Sequence, residues 1–236
     1  MKSNEKALIQ RGYLSKEKIK DYSHLKLNQL IKLLQSEIPQ ERTIAATLLG
    51  QIRDDKMIDP LCEAIKKETK LYSKIAISEA LGTQGSKSAK KLVILLGKIG
   101  KNQYKALPKK PFKKNNYPLP RDIIARTLTK IGVDALPFLM EILQNGSKTQ
   151  ISEAIDSIGY ISYYSNDSSS LPCLWTCLEK YKDNKVIFWK IIRSFQSFQD
   201  DQVVIFLNYI KMNSKYQEIQ WEAERSLKQI KFHNKK

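Results

Sequence analysis

Apolar residues recur at three- and four-residue spacing along most of this chain, with small side chains beside large ones. In the run from Arg42 to Ile52 the apolar set is Ile44, Ala45, Ala46, Leu48, Leu49 and Ile52, the pattern of a buried helix. A second helical run is predicted from Asp59-Pro60, with Leu61, Ala64 and Ile65 as its stripe. Pro suits a first helical turn, where its missing N–H has no partner to lose. The same pair of runs returns as Ile75–Gly82 with Ala89–Leu96, and as Arg121–Gly132 with Ala135–Leu143. It returns again as Ile151–Gly159 with Leu171–Leu178, and as Val186–Phe195 with Val203–Ile210. Ile219–Ile230 predicts a closing half repeat, and Leu25–Leu34 the second helix of a degenerate first one. The equivalent positions Leu49, Leu81, Leu128, Ile155, Ile192 and Leu227 lie 32, 47, 27, 37 and 35 residues apart. Alternating runs bounded by hairpin turns, the mark of strands, are missing. A helix pair cannot bury its apolar face alone, so stacking of such pairs predicts an α-solenoid.

The run Arg42-Thr43-Ile44-Ala45-Ala46-Thr47-Leu48-Leu49-Gly50-Gln51-Ile52-Arg53-Asp54 resembles the HEAT-like repeats, in particular the short phycobilisome-lyase-type variant. The Arg121 copy matches less fully and the others in outline; together they cover about residues 25–230. The resemblance implies an all-α, right-handed α-solenoid of five to six HEAT-like helix pairs, read as one domain over residues 1–236. It also implies that the second helices line a concave face, and that binding or scaffolding is the activity. Some relatives act on bilin chromophores, and a distant helical-repeat group comprises DNA glycosylases with Trp and Asp on the concave surface. This chain has Trp175, Trp189 and Trp221, and no catalytic Asp motif beside them.

Of the 236 residues 42% are hydrophobic, enough for a core and too many for wholesale disorder. No uninterrupted apolar stretch reaches the roughly 18 residues of a membrane span, so no membrane partner is expected. Met1 to Gln10 is polar, without an apolar signal core, which leads to the expectation of a soluble, cytoplasmic protein. Cys62, Cys173 and Cys177 form neither a disulfide framework nor a paired metal motif, and are read as small buried side chains. The two histidines, His24 at a helix start and His233 in a basic tail, are read as surface and do not suit a histidine-based triad. Phosphate-binding and nucleophile-elbow glycine motifs are missing; Gly82-Thr83-Gln84-Gly85 is read as an inter-helix loop. No cofactor and no metal are expected.

Charge is not evenly spread along the chain. The net charge is +17, and no acid occurs between Glu79 and Asp122. That interval holds Lys87, Lys90, Lys91, Lys98, Lys101, Lys105, Lys109, Lys110, Lys113, Lys114 and Arg121. It also contains the longest repeat spacing, which places an insertion at about 98–120. Pro108, Pro111, Pro118 and Pro120 forbid a continuous helix there. Tyr104, Phe112 and Tyr117 lie among the lysines. In a polyanion-binding reading the lysines meet phosphates and the three aromatics stack on bases of DNA or RNA. In a plainer reading the insertion is a solvated lysine-rich loop. An acidic protein partner would fit the same charge. Lysine dominates (34, against seven Arg), which fits point-charge contacts better than base reading.

Downstream, from Asp122 to Leu178, acids exceed bases by three. Tyr160 to Ser170 is predicted to be a second long inter-helix loop with tyrosines for a protein contact or for packing beneath it. Glu153 and Asp156, three apart, share a helix face; two carboxylates at that spacing are read as surface, not as a catalytic pair. Trp175 and Trp189 are read as core. The leading functional expectation is a non-enzymatic scaffold of the HEAT-like repeat class engaging a protein partner. The second is nucleic-acid binding through Lys87–Arg121, and the third a glycosylase-like or chromophore-lyase-like repeat enzyme.

Overall fold

The computed structural model describes residues 4–52 and 54–233. Arg53 of the best-matching repeat motif lies outside the described residues, as does the side chain of His233. The described residues are helices and connections, with no strand among them. They form two compact units, Met1–Leu92 and Val93–Lys236.

The first unit contains α1 (Glu5–Gln10), α2 (Lys16–Lys20), α3 (Leu27–Leu33), α4 (Pro39–Leu49), α5 (Ile58–Lys67), α6 (Leu71–Gly82) and α7 (Gly85–Leu92). Pro39 opens α4, and Ile44, Ala45, Ala46, Leu48 and Leu49 are buried on it. The α6 residues Ala76, Ile77, Ala80 and Leu81 pack against α4. A Cβ on Gly50 would stand 3.0 Å from the Ala80 Cα, so small residues do set this helix–helix approach. Arg42, the first residue of the repeat motif, clamps α4 to the end of α5. Its Nε and Nη2 donate to the two Glu68 carboxylate oxygens at 2.7 and 3.1 Å, and its Nη1 donates to the Ser36 carbonyl at 2.7 Å. The buried Glu68 also accepts the Thr69 and Lys70 backbone N–H groups. Burial pushes its carboxyl up, but the Arg42 bond and the backbone donors prevail and hold it below the usual range. The loop expected at 82–85 shortens to two residues between α6 and α7.

The second unit contains α8 (Ile123–Ile131), α9 (Leu136–Asn145), α10 (Lys148–Ser165), α11 (Leu171–Tyr181), α12 (Lys185–Ser194), α13 (Asp201–Asn213) and α14 (Gln217–His233). The first helices α8, α10, α12 and α14 pack in sequence, and α9 packs on α10 and α11 while α13 packs on α14. This is the all-α solenoid arrangement that the repeat predicts. The proline-containing insertion is helix-free from 96 to 122. The loop expected from Tyr160 to Ser170 is corrected: α10 continues through Tyr164 to Ser165 and stops at Asn166, whose φ of 57° is left-handed. Tyr160, Tyr163 and Tyr164 pack on one another at 4.6–5.0 Å, which favours extending the helix over opening a loop.

Candidate functional site

The insertion is a strap laid over α10, α12 and α14, and its aromatic residues point inward. Tyr104 meets Trp189 of α12 edge to face at 5.0 Å and carries the Arg121 guanidinium 4.2 Å above its ring. Phe112 lies 5.3 Å beneath the Arg225 guanidinium of α14. Tyr117 is 2% exposed, between Tyr160 and Tyr163 of α10, with its hydroxyl over Gly159. Asp122 closes the strap: one carboxylate oxygen caps α8 through the Ala125 N–H at 2.9 Å, and the other accepts the Gln103 amide at 2.7 Å. Burial pushes the Asp122 carboxyl up and the Tyr117 phenol well above its ordinary value.

The face beneath carries charge. Lys190 of α12 is fully buried, and its ammonium lies 2.8 Å from Glu153, 2.8 Å from Asp156 and 3.0 Å from the Ser152 carbonyl. Three acceptors match its three donors. Arg193 lies 3.8 Å over the Trp189 ring and 3.5 Å from Glu222, which also takes Arg225 at 2.6 Å. The expectation that Glu153 and Asp156 are surface residues is therefore corrected; they are 1% and 3% exposed. Burial pushes Glu153 up to about 7, Asp156 adding to the rise and Lys190 opposing it. The sequence does hold a signal for this pairing: Lys190 and Arg193 stand 37 residues after Glu153 and Asp156, at the equivalent positions of the next repeat. The charged ladder lies on first helices, whereas the resemblance points to second helices for binding.

The predicted stacking residues are thus differently employed. Tyr117 is enclosed and has no face for a base, and Tyr104 has Trp189 at its side and Arg121 above it; Phe112 is half-buried. The lysines divide. Lys87 pairs with Asp55 and Lys91 with Asp59, each 32 residues away, so the block is acid-free in sequence and not in space. Lys98, Lys101, Lys105, Lys109, Lys110, Lys113 and Lys114 are exposed on the second unit and form no ion pair among the described residues; Lys90 is exposed on the first unit. Burial pushes the Cys62 and Cys177 thiols up to about 11, away from nucleophilic use at neutral pH. Among the described residues no cluster of three metal-ligating side chains forms, and no helix is long and apolar enough to cross a membrane.

No protein-family model matches the chain, and no curated protein matches it. Solved structures similar to it include HEAT-like and armadillo repeat proteins. An archaeal HEAT-like repeats protein from Thermococcus onnurineus NA1 is 15% identical over 98% of this chain and 99% of that one, with a TM-score of 0.45. The complex of CpcE and CpcF of phycocyanin lyase from Nostoc sp. PCC7120 is 17% identical over 84% and 75%, with a TM-score of 0.38. A designed armadillo repeat protein in complex with the peptide (KR)4 is 14% identical over 87% and 100%, with a TM-score of 0.39. At these identities and TM-scores no partner or activity passes from those proteins to this one.

Proposed function

We propose that this chain is a binding scaffold that holds a polyanion, with a nucleic-acid backbone as the ligand, on the lysines of the strap. One observation carries the reading: Tyr104, Phe112 and Tyr117 turn inward while seven unpaired lysines turn outward. An anchored loop loses less chain entropy on binding than a free one. Lysine ammonium groups act as point charges without a fork geometry, which suits sequence-independent phosphate contacts. Because the aromatics are engaged with the protein, contact is to phosphates and not by base stacking.

Duplex binding should weaken with salt at a logarithmic slope of about −0.9 per phosphate neutralised. Replacing Lys109, Lys110, Lys113 and Lys114 together with Ser should reduce that slope by up to about 3–4 units. Absence of duplex binding at low salt would defeat the proposal, and binding of polyglutamate in its place would favour an acidic protein partner. An unchanged slope in the variant would remove the strap from the site.

A further inference from the structure

A second surface lies on the last two helices. On α13, Val203, Leu207 and Ile210 are buried, and Phe206 packs against Trp175 at 5.1 Å. The opposite face exposes Ile205, Tyr209 and Met212 by 70%, 61% and 75%. Their spacing of four and then three residues makes one stripe, about 10 Å long at 1.5 Å per residue. Three large apolar residues in line are a patch, unlike apolar residues scattered singly. Tyr209 also borders a groove of about 220 Å³ floored by Phe188 and Ile219. That volume is below the roughly 300 Å³ at which small-molecule sites begin, and it suits an inserted side chain. The groove is ringed by Lys182, Lys185 and Lys215, against the single acid Asp183. Lys185 and Lys215 lie 4.4 and 5.4 Å from the Tyr216 ring.

We propose that this stripe and groove dock an acidic amphipathic helix of a partner protein. Apolar residues of that helix at i, i+4 and i+7 cover Ile205, Tyr209 and Met212, one side chain enters the groove, and flanking carboxylates reach Lys182, Lys185 and Lys215. Helix-in-groove recognition uses this anchor spacing. The lysine ring selects acids, and it disfavours a second copy of this chain, which in a two-fold contact would set lysines against lysines. The surface shares no residue with the strap and does not rest on the polyanion reading.

The test is fluorescence anisotropy on the full chain with a labelled model helix of about four turns, Leu at i, i+4 and i+7 and Glu on the flanks. Saturable binding is expected. It should fall about tenfold or more with Gln in place of the peptide Glu, a change that leaves the protein untouched, and likewise with Ile205→Glu plus Met212→Glu, or Lys185→Glu plus Lys215→Glu. The four-lysine strap variant should bind the peptide as wild type does, which separates the two sites. Equal binding of the Gln peptide, or no saturation, would overturn the proposal. So would a self-associated wild type made monomeric by Ile205→Glu, or anionic vesicles bound in place of the peptide and lost with the same variant.

Discussion

Adding one methyl group at Gly159 tests whether the strap is held as described. Gly159 is inside α10, where Gly→Ala ordinarily stabilises by about 1 kcal/mol. Here the new Cβ would stand 1.9 Å from the Tyr117 hydroxyl oxygen, 2.6 Å from its Cζ and 2.9 Å from the Ser194 Cβ on α12. The Tyr117 ring is fully enclosed and its hydroxyl has no hydrogen-bond partner among the described residues, so it must shift by more than an ångström or leave. A shift within the packing costs about 1–3 kcal/mol as overpacking. Ejection forfeits an aromatic burial comparable to the ~3–5 kcal/mol of a large-to-small aromatic substitution. Set against the propensity gain, Gly159→Ala should lose about 0–2 kcal/mol if Tyr117 shifts and about 2–4 kcal/mol if it is ejected. Urea unfolding measures the loss, and chymotrypsin cleavage after Phe112, where Lys113 follows, should accelerate as the strap loosens. In a Tyr117→Ala background the penalty should shrink by more than about 1 kcal/mol, because touching residues couple. If Gly159→Ala is stabilised by about 1 kcal/mol, the gain of an unhindered helical glycine, and cleavage is unchanged, Tyr117 does not seat on α10 and the strap geometry is wrong.

Further outcomes follow from the ion pairs and the repeat packing. Glu153 is raised to about 7 by burial, so the folded state binds its proton more tightly; stability should rise as pH falls from about 7 toward 4.5, and Glu153→Gln should flatten that part of a urea-midpoint profile. A wild-type profile falling over that window, or one unchanged by Glu153→Gln, would refute the buried assignment. Glu68 is lowered, so its contribution should persist above about pH 4.5 and disappear on acidification; Glu68→Gln should cost about 3 kcal/mol at neutral pH, read from the same urea unfolding. Ala46→Leu should lower stability by about 1–3 kcal/mol through overpacking, and an unchanged melting temperature would contradict the α4 packing.

The helix pairs were legible because each buries the same position: Leu49, Leu81, Leu128, Ile155, Ile192 and Leu227 are all in the core. The insertion was legible through its prolines and the stretched repeat spacing. The direction of its side chains was not. Tyr104, Phe112 and Tyr117 alternate with lysines as they would in a stacking arm, and only the packing of Trp189, Arg225 and Gly159 turns them inward. Pairing across repeats shows only when the repeats are set in register. Asp55 and Asp59 sit 32 residues from Lys87 and Lys91, and Lys190 sits 37 from Glu153, so a linear charge count sees only blocks. The buried pairs of Glu153 and Asp156 with Lys190 lie on first helices that the strap covers, whereas the exposed Asp59–Lys91 pair joins the second helices α5 and α7.

Lysine acetylation footprinting at low salt, with and without duplex DNA, reads whether the strap pins its aromatics and presents its lysines. Lys109, Lys110, Lys113 and Lys114 should react rapidly alone and be protected by the duplex, while Lys190 stays unreactive in both. Rapid acetylation of Lys190 in the folded protein, or duplex protection confined to lysines outside the strap, would contradict that arrangement.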